Sequence, residues 1–453
     1  MKEEPPISER WNNKAIFSLL WPLMIEQMLM VAMGAADTVM VSHVGEFAVS
    51  GVNIVDNISN LLIIAFTALS TGGGIVVSQY MGRRDTANSR VAAKQLVYTA
   101  LAVSLLVSLT AVIFRRPLIT LLYGRIEDDV MGAAAIYFLL AGLSYPFLSM
   151  HTAGSALFRA TGNSFVPMRI SIFVNILKVG LNVFLIYFLK LGVFGAGLST
   201  LISRMTGALL SLSLLYRNQE SPVSLAGLLN VRLAVPMIRN ICNIGIPSAL
   251  EGSMFMVGRI LTQRLFVLFG TAAMAANAVA SVINSFSFVP GIAFGATLTI
   301  VVGQCIGAGD YALAKKQASK ILKLAFFFIF TISVLTYIFM DALIGIFGLS
   351  PEAHEFARAY LRVHCISMAF GWVMSFAMPN ALRAAGDARY VMYVAVLSMW
   401  IARVSAAYLF VYVFEIGPIG VWIAMGTDFA IRGIFYYTRW RGGKWQNKKV
   451  ITG

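Results

Sequence analysis

A chain of 453 residues that is 58% apolar and only 12% charged, with mean hydropathy +0.78, is not a water-soluble globule; such a globule would carry about a quarter charged residues. Its net charge of +15 would point to nucleic acid in a soluble protein. Here Lys and Arg fall mainly in short segments between apolar runs, so membrane topology accounts for them and no nucleic-acid partner is expected.

In chain order, MKEEPPISERWNNK (1–14) lacks a short apolar core followed by a cleavage site, so the first apolar run is expected to stay in the membrane. Runs sized to a bilayer, which takes about 20 residues per helix, predict twelve spans. They lie near 15–41, 48–78, 92–114, 131–157, 167–189, 195–216, 240–268, 275–305, 317–340, 357–382, 391–413 and 418–438. The polar stretch 217–239 sits at the midpoint and reads as a cytoplasmic linker between an N-terminal lobe, 1–216, and a C-terminal lobe, 240–453. Cys242, Cys305 and Cys365 lie in or at the ends of apolar runs without Cys-x-x-Cys spacing and read as small hydrophobes.

The lobes repeat. One shift of 225 positions puts Pro22 on Pro247, Glu26 on Glu251, Gly45 on Gly270, Asp85 on Asp310, Lys178 on Arg403 and Gly192 on Gly417. A one-residue slip brings FRATGN (158–163) onto LRAAGD (382–387). A constant offset through whole halves marks a duplication. Six spans per half make the repeat parallel, and two such lobes suit alternating access. Lys and Arg crowd the segments that are inside if the N-terminus is inside, among them Arg83, Arg84, Lys315, Lys316 and Arg441; both termini are therefore expected in the cytoplasm.

The run WPLMIEQMLMVAMGAADTVMVSHVG (21–45), the repeat ends QYMGRRD (79–85) and QCIGAGD (304–310), the Arg-x-x-Gly segments at 159–162 and 383–386, and IGIPSALEG (244–252) together resemble the multidrug and toxic compound extrusion (MATE) transporters, bacterial branch. The resemblance covers essentially the whole chain. It implies an all-α membrane protein of two six-helix lobes in a V. Its implied function is secondary antiport, with cationic amphipathic compounds leaving through a central cleft as protons or sodium enter. The implied setting is the bacterial inner membrane, with membrane lipid and small organic cations as partners, no cofactor beyond H+ or Na+, and a monomer as the working form. A cation site is implied in the N-terminal lobe from an Asp on the first helix, matched by Asp37, and polar residues on the fifth. Lys178 and Asn182 match those in the preferred alignment, with Asn175 in an alternative register. A Lys at this position departs from the family pattern, since it would compete with a sodium ion at Asp37.

Ionisable groups in hydrocarbon are costly and mark functional candidates. Glu26 and Asp37 lie about 16 Å apart on one face of the first helix, and Asn175, Lys178 and Asn182 share a stripe of the fifth. The repeat places one acid on the first helix and one base on the fifth in each lobe. The expectation is that each base pairs within its own lobe, Lys178 with Asp37 or Glu26 and Arg403 with Glu251. In the second half Thr262 stands where Asp37 stands in the first, so ion coupling is expected in the N-terminal lobe, with Glu251, Arg403, Arg259 and Met256 shaping the substrate cleft. Arg259 either screens Glu251 or snorkels outward. An enzyme is not expected, because His43, His151, His354 and His364 are scattered and no nucleophile motif appears. The alternative transport reading is a flippase for lipid-linked oligosaccharide or peptidoglycan precursors, disfavoured by the expectation that buried bases are matched by acids.

Overall fold

The computed structural model describes residues 10–228 and 232–451, and among these there are helices, turns and short connections but no strand. Twelve long helices follow one another: α1 Asn13–Ser42, α2 Glu46–Gly82, α3 Thr86–Ile113, α4 Asp128–Ala160, α5 Phe165–Phe188, α6 Gly192–Arg217, α7 Val235–Gln263, α8 Gly270–Gly307, α9 Tyr311–Ile338, α10 Pro351–Ala384, α11 Ala388–Tyr412 and α12 Ile419–Arg441. Ten helical runs among the described residues are long and apolar enough to cross a bilayer. One of them, Val235–Gly307, holds both α7 and α8, joined through a 3-10 turn at Arg264–Phe269. α12 is less apolar because Asp428 and Arg432 sit in its middle.

Three helices begin six residues ahead of the apolar pattern, each with a capped first turn. α3 and α9 open at Thr86 and Tyr311, more than a turn before 92 and 317. Asp85 and Asp310 cap them, accepting from the backbone N–H of Asn88 at 3.0 Å and Leu313 at 2.8 Å. At α10 the Ser350 hydroxyl accepts from Ala353 N at 3.3 Å, and Pro351 opens the helix. Caps satisfy orphan N–H groups that hydropathy does not register. Within α5, α10 and α11 the winding loosens to π-helix at Val183–Phe188, Met368–Ala377 and Met399–Ser405.

The duplication is written into the backbone. Positive φ recurs at Lys190 (51°) and Glu415 (50°), at Arg84 (62°) and Gly309 (78°), and at Gly162 and Gly386, both 88°. The caps Asp85 and Asp310 are equivalent positions as well.

Two compact units emerge, one from Trp21 to Ala249 and the other from the chain up to Leu20 together with Leu250 onward. The opening helix of each half therefore changes unit partway along, close to Pro22 in α1 and Pro247 in α7. Before its change, α1 buries Ile16, Leu19 and Leu20, and Gln317 of α9 donates to the Trp11 carbonyl at 3.2 Å. The first half of α7 packs on α2: a Cβ added to Gly72 would lie 2.7 Å from the Ile241 carbonyl oxygen and 2.9 Å from Gly245 N. The stretch after α6 is held to α3, where Arg90 donates to the carbonyls of Ser221 (3.1 Å) and Gln219 (2.9 Å), Gln95 to that of Arg232 (2.8 Å) and Tyr98 to that of Leu228.

Candidate ion-coupling and substrate sites

In the first unit α1, α2 and α4 to α6 bring their polar side chains together. Asp37, near the C-terminal end of α1, accepts from the Lys178 ammonium at Oδ2 and from Asn182 Nδ2 at Oδ1, 2.9 Å away. Four residues separate Lys178 and Asn182, so one face of α5 presents both donors. Asn182 is 2% exposed, and its carbonyl in turn accepts from Ser199 of α6. Asn175 lies one turn earlier on the same helix, half-buried; the side chains that bond Asp37 are those of Lys178 and Asn182.

A second acid belongs to this cluster, and sequence reasoning passed over it. Asp56 of α2 accepts from the Tyr137 hydroxyl of α4 at 3.3 Å and lies in the field of Lys178, Arg204 and Asp37. Thr200 adjoins the same Tyr137 hydroxyl, while Arg204 donates to Ser144 Oγ at 2.7 Å. Two carboxylates and two cations thus balance, and an intramembrane acid in an otherwise apolar span was the signal that could have found Asp56.

Both Asp37 oxygens already receive N–H donors, one from a full positive charge. A sodium ion needs several free oxygens, and among the described residues no cluster of three or more His, Cys, Asp or Glu could hold a metal. The residues at Asp37 do not fit sodium while Lys178 stands there.

Glu26 and Glu251 pair differently from the expectation. Glu26 accepts from Arg159 Nη2 at 2.5 Å. Both Glu251 oxygens lie 2.7 Å from Arg383 Nη2. The predicted pairing of Arg403 with Glu251 is therefore corrected, and Lys178 is not the partner of Glu26. The arginines come from the Arg-x-x-Gly ends of α4 and α10, so these are equivalent bridges in the two halves, each reaching an acid four residues after a proline. These arginines were hidden because they sit at helix ends, where positive charge reads as topology.

Arg403, the counterpart of Lys178, lies in the π-helical turn of α11 and is 8% exposed. Its nearest acid is Asp428 of α12, at 3.9 Å. That carboxylate is already held by both ends of the Arg432 fork, at 2.7 and 2.8 Å, and by Ser398 at 2.5 Å. The matching of buried bases by acids expected from the sequence thus fails at Arg403. The Phe255 ring lies 5.2 Å from the Arg403 guanidinium carbon and 5.3 Å from that of Arg432. Phe255 of α7, the neighbour of Met256, thus packs against this cluster. Arg259 is exposed, and Thr262 is buried with its hydroxyl on the Arg259 carbonyl. His151 bonds Ser211 at 2.9 Å, and His364 is buried against Phe288 and Trp422.

The family model for MatE matches residues 22–188 and 244–409, once in each half. The chain is 30% identical over 441 residues, 96% of its length and 95% of the other, to an uncharacterized transporter, YisQ, of Bacillus subtilis strain 168. It is 26% identical over 448 residues, 97% and 94%, to a probable multidrug resistance protein NorM of Thermotoga maritima. A crystal structure of a MATE protein in the bent conformation superposes with TM-score 0.90 at 19% identity, covering 97% of this chain and 98% of the other. An outward-facing multidrug resistance MATE transporter of the MOP superfamily gives 0.89 at 18%, covering 99% and 100%. With a family model on both halves and a full-length relative beside them, this multi-pass membrane chain belongs to the MATE family of transporters.

Proposed function

We propose that this chain exports small, cationic amphipathic compounds across a bacterial cytoplasmic membrane by alternating access, driven by proton entry, with both termini in the cytoplasm. The observation that carries the reading is the Asp37–Lys178–Asn182 cluster, a half-buried carboxylate held by an internal cation. A proton arriving at Asp37 converts the carboxylate to a neutral acid and removes the partner of Lys178. The ammonium then depends on Asp56, on the other side of the cluster, and α5 shifts relative to α1. Loss of the proton restores the bridge. Lys178 stands where a coupling ion would stand, which favours protons over sodium. The multidrug names of the relatives support drug export.

The test is transport by purified protein in liposomes under separately imposed gradients. A proton gradient should drive uptake or release of a fluorescent organic cation at least tenfold above a sodium gradient of equal size. Asp37→Asn should insert and fold yet lose that proton-driven flux. Flux driven by sodium alone, or full activity in Asp37→Asn, would overturn the mechanism.

A further inference from the structure

We propose that the second unit contains an anion site at Arg403, built to take a carboxylate carried on an aromatic or apolar body. The inference rests on the transporter reading only for its use as a substrate subsite; the site itself follows from charge and geometry. Arg403 lies in the field of two other guanidiniums, Arg432 and the exposed Arg259, and shares one carboxylate, Asp428, with Arg432. Arg432 takes Asp428 through both edges of its fork at 2.7 and 2.8 Å, with 3% of its side chain exposed. Asp428, wholly buried and also bonded to Ser398, has little left to offer. Arg383 and Glu251 neutralise each other nearby. Arg403 is left as a buried positive charge in excess.

Its donors show the same deficit. Nε and Nη1 of Arg403 are both buried and neither has a hydrogen-bond partner. The 3.9 Å approach to Asp428 is too long for a hydrogen bond. These two atoms lie on different edges of the guanidinium, so each of its two forks contains an unfilled donor. A guanidinium held away from water with open donors is among the costliest arrangements in a bundle, and an anion resolves it.

The repeat explains how this arose. Lys178 in the first half faces its acid, Asp37, across from the first helix; the same position in the second half is Thr262, and Arg403 stands without that acid. What the first unit supplies from its own chain, the second must receive from a ligand. The planar fork selects a carboxylate, which accepts two parallel N–H bonds. Phe255, in reach of both guanidiniums, leads to Phe376 in edge contact at 6.0 Å, and Trp372 stacks on Phe376 at 5.3 Å. Phe255 and Phe376, both partly exposed, offer a surface for the body that carries the carboxylate, with the buried Trp372 behind Phe376.

The experiment measures equilibrium binding of radiolabelled benzoate to the purified full-length protein in detergent. The wild type should bind it saturably and not bind benzamide. Arg403→Gln should weaken binding at least tenfold. Thr262→Asp, which reinstates the acid that the first half carries, should do the same by filling Arg403 internally; it also covers the case in which Arg403→Gln fails to fold. Arg358→Gln, which removes a half-buried guanidinium of the same unit that pairs with Asp341, should bind as the wild type does. Equal binding of benzamide, or unchanged binding by a folded Arg403→Gln or Thr262→Asp protein, overturns the proposal. So does displacement of benzoate by chloride, or by phosphatidylglycerol micelles, at matched concentration with equal potency, since the ligand would then be a simple ion or a lipid phosphate. Because binding is read without a gradient, it can survive a failure of proton-driven export, and export can survive its absence.

Discussion

At Glu26 and Glu251 a single carboxylate inside the bundle is held by one arginine from a distant helix, with 13 and 14% of the acid side chain exposed. Removing one partner of such a bridge strands the other, at a cost of about 3 kcal/mol, whereas removing both costs less. Arg159→Leu should therefore lower thermal stability in detergent more than Glu26→Gln with Arg159→Leu does, and the same ordering should hold for Glu251 and Arg383. Equal losses in single and double variants would show that the bridges carry no coupling. The acids on α1 and α7 were legible because a carboxylate stands out in an apolar run. Their partners were not, since Arg159 and Arg383 reach Glu26 and Glu251 across 133 and 132 positions. Asp56 meets Tyr137 across 81 positions, and no local pattern records such a contact. Arg403 was assigned to the wrong acid for a related reason: the repeat predicts equivalent partners, and this half has changed its own.

Elements obey more local rules, and most of them could be read directly. Spans appear wherever about 20 apolar residues run together, but polar first turns such as 86–91 and 311–316 escaped because capping rather than hydropathy forms them. Asp85→Ala and Asp310→Ala should each cost about 1 kcal/mol, measurable as a lower unfolding temperature. Hydrogen bonds from the Asn88 side chain and backbone hold the Asp85 carboxyl below its ordinary range. A depressed folded value means the cap contributes fully above the ordinary carboxylate pKa, about 3.9, and is lost as pH falls through the lower folded value. The stability gap between wild type and Asp85→Ala should accordingly be constant near neutrality and close in acid. Between helices, Gly72 meets backbone rather than a movable side chain. Gly72→Ala should push α2 from α7 and cost about 1–3 kcal/mol. An unchanged melting profile would mean that the two helices can part freely.

Over the whole molecule, the duplication was the most legible feature of all, and it survives in caps, left-handed turns and ion bridges. What it could not convey is that the halves of the sequence and the compact units of the fold are not the same sets of residues. Each unit borrows the beginning of the other half's opening helix. A protein severed between Leu228 and Arg232 should thus assemble when both pieces are made together, and each piece made alone should be degraded. Stable accumulation of either piece by itself would contradict this. The borrowed segments also speak to ancestry. A chain half as long, with one copy of the repeat, would lack the piece of opening helix that each unit here takes from the other half. Built on the present plan, such a chain would take the beginning of its opening helix from a second copy, the arrangement of a domain-swapped dimer.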